Sequence, residues 1–142
     1  EWTDIDQLGS KEIPSGRFIS GVTSGISIIG LCIPWRFAHV STGRKDRKPW
    51  EDHLSFIQNL SFSNQRTIIL GEFNQNIPKK NQPEKVFASL NNMIYGFNLL
   101  TTNMGLIHIV ISSDLNAEGI KRIATGNNSD HDGISCLINF KN

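Results

Sequence analysis

Two short polar stretches hold the residues whose types could do chemistry: the GEFN tetrapeptide at 71–74 and the SDH tripeptide at 129–131. Residues two apart in a strand share a face, so Glu72 and Asn74 would lie side by side. A carboxylate beside an amide suits Mg²⁺ and a phosphate-bound water, and a histidine beside a metal suits proton transfer. Taken singly, each stretch is more typical of an ordinary strand end or turn than of a catalytic site. Their chemistry therefore depends on whether the fold brings them together.

Length and composition limit the kind of protein that can position these residues. A chain of 142 residues with 38% hydrophobic and 19% charged residues predicts one soluble domain, covering 1–142. Its net charge of +1 gives no global attraction to polyanions, and no apolar stretch is long enough to span a bilayer.

The two cysteines, Cys32 and Cys136, lie in apolar runs, which favours reduced buried thiols, although the sequence leaves open a disulfide between them. Sparse cysteine and no signal-like segment favour a cytoplasmic protein, and the absence of an initial Met suggests a piece of a longer protein or a processed product.

The chain alternates between strand-like and helix-like patterns. Apolar β-branched runs predict strands and apolar residues at helical spacing predict helices, with Pro34 ending the second strand. The predicted strands are 17–22, 26–33, 67–73, 97–102, 106–113 and 133–140, and the predicted helices begin at Pro49 and at Glu84, the latter ending at Gly96. This is a mixed α/β pattern in which helices cover a sheet. The polar candidates gather at strand ends, where such sheets usually place their sites.

In their order along the chain, these segments resemble the C-terminal part of the endonuclease/exonuclease/phosphatase superfamily, which includes exonuclease III-like and deoxyribonuclease-I-like enzymes. The family pattern is an apolar strand ending in Pro, a P-W-x-x-x-L helix, G-D-x-N, I-D-H and S-D-H. The matching segments here are IIGLCIPW at 28–35, PWEDHL at 49–54, GEFN at 71–74, LIHI at 106–109 and SDH at 129–131. The resemblance implies part of a four-layer α/β sandwich with mixed, mostly antiparallel sheets covered by helices.

The resemblance also implies a site that hydrolyses phosphate esters with Mg²⁺ or Mn²⁺. Glu72 and Asn74 would position the attacking water and the scissile phosphate, and His131 would act as base or as transition-state stabiliser. Asp130 and Glu72 would hold the metal. Arg36, which follows the end of a predicted strand, is a candidate phosphate contact together with Asn74. The basic run at 44–48 is more simply a solvated loop.

Three departures from the family pattern weaken the expected site. Glu72 stands where the family has Asp, and a shift of about an ångström in a catalytic group can cost roughly 10²-fold in rate. Ile107 stands where the family has an Asp that orients the histidine, and isoleucine accepts no hydrogen bond. The neighbouring His108 points to the opposite face and offers no obvious substitute. Finally, nothing near the N-terminus matches the family's earlier metal-binding Glu and phosphate-binding Asn.

Two functions therefore stay open. The leading one is a metal-dependent nuclease or phosphodiesterase domain, present as its C-terminal portion and completed by the missing N-terminal half. The alternative is a degenerate, non-catalytic relative that binds phosphorylated ligands or acts as a scaffold. Nucleic acid, phospholipid and inositol phosphate all remain substrates that the resemblance allows.

Overall fold

A computed structural model describes residues 1–6, 18–33 and 66–141. The predicted helix from Pro49, Arg36 and the basic run at 44–48 lie outside the described residues. The elements are β1 (Thr3–Asp6), β2 (Phe18–Thr23), β3 (Ile26–Cys32), β4 (Thr67–Glu72), α1 (Glu84–Met93), β5 (Asn98–Leu99), β6 (Ile107–Ile111), β7 (Leu115–Ile123), a 3₁₀ turn (Gly126–Asn128) and β8 (Gly133–Phe140).

A six-stranded mixed sheet forms the body of the described chain. Its strand order is β1-β2-β3-β4-β6-β5, with β3 and β4 parallel and the other neighbouring pairs antiparallel. The central strands are rich in Ile, Leu and Val, as expected of strands that are covered on both faces. β3 and β4 therefore run in the same direction and end at the same edge of the sheet.

The helix α1 covers one face of this sheet. Its buried residues recur at helical spacing: Val86, Ser89, Leu90 and Met93. Leu90 and Met93 join Ile69 and the neighbouring strands in one apolar cluster. The helix begins at Glu84 as predicted but ends at Met93 rather than at Gly96, because the chain there has already entered a turn.

The opposite face of the sheet packs against a second, two-stranded antiparallel sheet made of β7 and β8. Ile68 and Ile111 of the large sheet form a second cluster with Leu115, against which Ala117 and Ile138 of the small sheet pack. Helix, mixed sheet and second sheet are thus consecutive layers. The predicted α/β class, with mixed and mostly antiparallel sheets covered by helix, is confirmed. The single domain at 1–142 stays a prediction.

Several strand predictions need correction. β7 and β1 were not predicted, and the strand expected at 97–102 is limited to Asn98–Leu99. β7 reads LNAEGIKRI, and its register shifts between Glu118 and Lys121 around Gly119, whose φ is +61°. Such a bulge interrupts the two-residue alternation by which a strand is recognised. In the part of the chain that the structure describes, no helix is long and apolar enough to cross a membrane.

Candidate active site

The sheet edge where β3 and β4 end places the first polar candidate. Cys32 and Glu72 are register partners on these parallel strands, and Ile107 at the start of β6 faces Glu72 from the other side. The edge requires a glycine at position 71, which has a φ of +139° and where an added Cβ would lie 1.9 Å from the carbonyl oxygen of Leu31. The close approach of the two strands therefore fixes where the Glu72 side chain begins.

Glu72 and His131, 59 residues apart in sequence, meet at this edge. The Oε1 atom of Glu72 lies 3.2 Å from Nε2 of His131, within hydrogen-bonding distance. The Sγ atom of Cys32 donates to the other carboxylate oxygen, Oε2, at 3.5 Å. The side chains of His131 and Glu72 are 32% and 28% exposed, so the pair is reachable by solutes yet partly shielded from water.

The loop before β8 holds His131 in place through its own hydrogen bonds. The hydroxyl of Thr125 donates to the His131 carbonyl at 2.7 Å, and the His131 N–H donates to the Ser129 hydroxyl at 3.1 Å. Small hydroxyl residues close turns in this way. The polar run before the last strand is therefore an ordered turn that presents a histidine.

An open cleft of about 280 Å³ lies beside this pair and is lined by His131, Ile107, Asp130, Asp132 and Arg122 among others. Ile107 thus occupies the position where the resemblance predicts a carboxylate that orients the histidine. The Nη1 atom of Arg122 lies 4.0 Å from Asp132 and Nη2 donates to the Asn103 carbonyl at 3.4 Å, while the side chain is 49% exposed and keeps further N–H groups for an anion in the cleft.

The candidate metal ligands are two carboxylates: Asp130, which lines the cleft, and Glu72, which contacts His131 beside it. Asp130 is 89% exposed, with its Oδ1 atom 3.8 Å from Nε2 of His131. Within residues 1–6, 18–33 and 66–141, no group of three or more His, Cys, Asp or Glu side chains is arranged to hold a metal. Mg²⁺, however, usually needs only one or two protein carboxylates and completes its shell with water and substrate phosphate. The two carboxylates fit that modest requirement, and metal binding stays a prediction.

Asn74 makes a contact that the sequence did not predict. Its side-chain Nδ2 donates to the carbonyl of Ile33 at 2.7 Å, and its φ of +52° lies in the left-handed region that asparagine tolerates. The amide therefore ties the end of β4 to the end of β3. Its role toward phosphate stays a prediction, as does that of Arg36, which lies outside the described residues.

His108 points away from the cleft, as the strand alternation predicts. It is fully buried, with Nε2 2.9 Å from the Gln75 carbonyl and Nδ1 3.0 Å from the Thr101 hydroxyl. Because the Gln75 carbonyl can only accept a hydrogen bond, Nε2 of His108 carries the proton, and in the neutral ring that burial favours, Nδ1 accepts from the Thr101 hydroxyl. Burial lowers the pKa of His108, partly offset by these hydrogen bonds. This histidine fastens β6 to the loop after β4.

Two residues of the site were missed from the sequence. Cys32 appeared only as a buried thiol, and its contact with Glu72 follows from the parallel register of β3 and β4. Arg122 lies on β7, whose strand pattern the bulge conceals. The available signal for Arg122 was a basic residue seven positions before Ser129, the first residue of the SDH turn.

Comparison with known proteins supports the fold. No family model and no curated protein sequence matches the chain. Among solved structures, the chain shares its fold with an endonuclease domain and a 3′ phosphatase, which supports the resemblance at the level of the fold. It is similar to the endonuclease domain of TRAS1, a telomere-specific non-LTR retrotransposon, with a TM-score of 0.59 and 14% identity over 98% of this chain and 70% of that one. It is also similar to the 3′ phosphatase NExo from Neisseria, bound to a product DNA hairpin, with a TM-score of 0.61 and 15% identity over 99% of this chain and 72% of that one. Identities this low establish the shared fold alone.

Proposed function

We propose that this protein is a metal-dependent hydrolase of phosphate esters in nucleic acid. The observation that carries the proposal is the Glu72–His131 pair, 3.2 Å apart beside an open cleft at a strand edge. A partly exposed histidine next to a carboxylate is a common arrangement for general-base catalysis. The fold-sharing structures are an endonuclease domain and a 3′ phosphatase, both named for phosphate-ester chemistry, which supports the same reaction class.

His131 would take the proton from a water molecule as the water oxygen forms a bond to phosphorus. The ester P–O bond would break, and the leaving oxygen would take up a proton from solvent. Asp130 and Glu72 would hold Mg²⁺ or Mn²⁺, which supplies Lewis-acid stabilisation of charge on the phosphate oxygens. Asn74 supports this indirectly in the described geometry, because its bond to Ile33 steadies the end of β4 that carries Glu72.

Arg122 is the cationic side chain of the described cleft and would contact the phosphate. A guanidinium can donate two parallel hydrogen bonds to phosphate oxygens, which positions the ester without reading a base. Arg36 remains a second candidate for this role. The chain's net charge of +1 means that affinity for nucleic acid would come from such local contacts.

Ile107 favours a second candidate function, a non-catalytic domain that binds phosphorylated ligands. It lines the same cleft as His131 and can neither bind metal nor accept a hydrogen bond. In that case the Arg122 guanidinium would still bind phosphate while no ester is cleaved.

A hydrolysis assay separates the two. The purified protein is incubated with a DNA duplex that carries one abasic phosphodiester and one 3′-phosphate end, with Mg²⁺, with Mn²⁺, or with a chelator. The proposal predicts metal-dependent cleavage or phosphate release that falls about 10²–10⁴-fold in the His131→Ala variant. The Glu84→Gln variant, which alters an exposed carboxylate on α1, serves as the control with unchanged activity. Binding of the duplex without turnover under all conditions would instead establish the second function.

A further inference from the structure

We infer that Glu72 is the positioning residue of His131 and fixes Nδ1 as the nitrogen that accepts a proton, an inference that rests on the proposed function. The contact of 3.2 Å between Oε1 of Glu72 and Nε2 of His131 carries it. On this assignment, Glu72 would do more than hold the metal, because its carboxylate determines which nitrogen of the imidazole can act as a base.

The direction of the hydrogen bond follows from the chemistry of the two groups. An ionised carboxylate only accepts hydrogen bonds, so the proton between the two atoms belongs to Nε2 of His131. In a neutral imidazole, one protonated nitrogen leaves the other with a lone pair. Glu72 therefore holds the tautomer in which Nδ1 of His131 is available to a water molecule or a substrate hydroxyl.

Glu72 is better suited to this task than the neighbouring Asp130. The Asp130 Oδ1 atom is 3.8 Å from the same nitrogen, beyond hydrogen-bonding distance, and its side chain is 89% exposed in a turn. The Glu72 side chain is 28% exposed and starts from the end of a strand. A carboxylate on a strand end holds a ring orientation better than one on an exposed turn.

Cys32 restrains the other half of the same carboxylate. Its Sγ atom donates to Oε2 of Glu72 at 3.5 Å, and the two residues are register partners on adjacent parallel strands. The carboxylate thus lies between a thiol on one side and the imidazole on the other. Cys32, Glu72 and His131 form a hydrogen-bonded row across the sheet edge.

Ile107 supplies an internal means of testing the assignment. It is the antiparallel register partner of Glu72 and lines the cleft together with His131. Directly opposed residues on neighbouring strands have side chains on the same face within contact distance. A carboxylate introduced by the Ile107→Asp substitution would therefore be close enough to replace the one removed by Glu72→Ala.

The first test is spectroscopic and requires no activity. Protein with ¹⁵N-labelled histidine is examined by NMR at low temperature and without added metal, where a ring N–H bonded to a carboxylate exchanges slowly and resonates downfield. The inference predicts such an Nε2–H signal for His131 in the wild type and in Glu84→Gln. It also predicts loss of the signal in Glu72→Ala, weakening in the milder Glu72→Gln, and recovery in Glu72→Ala/Ile107→Asp. Absence of the signal in the wild type, or its persistence in Glu72→Ala, overturns the pairing.

The second test measures kcat for the same variants in the hydrolysis assay. We expect Glu72→Ala to reduce kcat by about 10²-fold or more, and the added Ile107→Asp to restore at least about 10-fold. Loss of the ring-proton signal in Glu72→Ala with kcat unchanged would overturn the positioning role. If the wild type hydrolyses no ester at all, the proposed function fails, while the NMR signal still decides whether Glu72 holds His131.

Discussion

Gly71 offers the sharpest test of how the fold positions the site. An alanine Cβ at this position would lie 1.9 Å from the Leu31 carbonyl oxygen, whereas an ordinary carbon–oxygen contact is roughly 3.3–3.6 Å. The strands β3 and β4 would have to separate by more than about 1 Å, enough to break the adjacent ladder hydrogen bonds. The substitution also forces a side chain into a φ of +139°.

The two effects add to a large loss of stability. Backbone strain in such a region costs about 1–3 kcal/mol, and each lost ladder bond costs about 0.5–1.5 kcal/mol. Gly71→Ala should therefore lower the free energy of unfolding by roughly 3 kcal/mol or more, a large share of the about 5–15 kcal/mol typical of a domain. Urea denaturation followed by circular dichroism measures the change.

Gly105→Ala is the matched control, because it separates the backbone strain of a positive φ from the steric overlap of the added Cβ with a neighbouring strand. Gly105 has a φ of +99°, but an added Cβ there meets nothing within 4 Å. This variant should show the strain component alone and remain at least about 1–2 kcal/mol more stable than Gly71→Ala. Equal losses in the two variants would refute the close approach of the strands, and with it the placement of Glu72.

Three further predictions concern the cleft and the pH dependence of stability. Arg122→Ala should raise KM for a DNA ester about 10-fold or more, with a smaller effect on kcat, because the substitution removes a phosphate contact. Steady-state kinetics measure both constants, and an unchanged KM would exclude the contact. Burial lowers the pKa of His108, so the unfolded chain binds a proton first as pH falls through about 6.5, and stability should drop there by up to about 1.4 kcal/mol per pH unit. Urea titrations should show a shallower slope for His108→Gln, and an identical slope would contradict the neutral buried ring. Hydrogen bonds from the Ser112 hydroxyl and the Arg66 backbone N–H lower the pKa of Asp114. The ionised Asp114 carboxylate therefore stabilises the fold above the ordinary pKa of an aspartate, and this contribution is lost as pH falls below that value. The free energy of unfolding of Asp114→Asn should lack this decrease at acidic pH.

The central strands could be predicted from the sequence because burial on both faces leaves a continuous apolar run. ISIIGLC, TIILGE and IHIVI are such runs, and all three are strands of the large sheet. β7 could not be predicted, because the bulge at Gly119 interrupts its alternation and most of its side chains are exposed. β1 is a four-residue edge strand, too short for a periodic signal.

The candidate site was predictable in part. The order of the polar motifs indicated that Glu72 and His131 belong to one site, and they lie in hydrogen-bonding distance. The sequence did not indicate how they meet, because the contact depends on the register of β3 and β4 and on a turn whose geometry is set by Thr125 and Ser129. Cys32 contacts the same carboxylate because β3 and β4 pair in parallel, and the sequence alone does not give that pairing.

The central claim is that one cleft gathers a divalent cation and His131 around Glu72 and Asp130. Paramagnetic broadening by Mn²⁺ in ¹⁵N NMR spectra tests it most directly, because the effect decreases steeply with distance from the ion. We predict that the strongest broadening occurs at the backbone signals of Glu72, Asp130 and His131 and at the ring signals of His131, and that it decreases in Asp130→Asn. Broadening centred elsewhere, for example around Glu118 on the exposed part of β7, would contradict a metal site at this sheet edge.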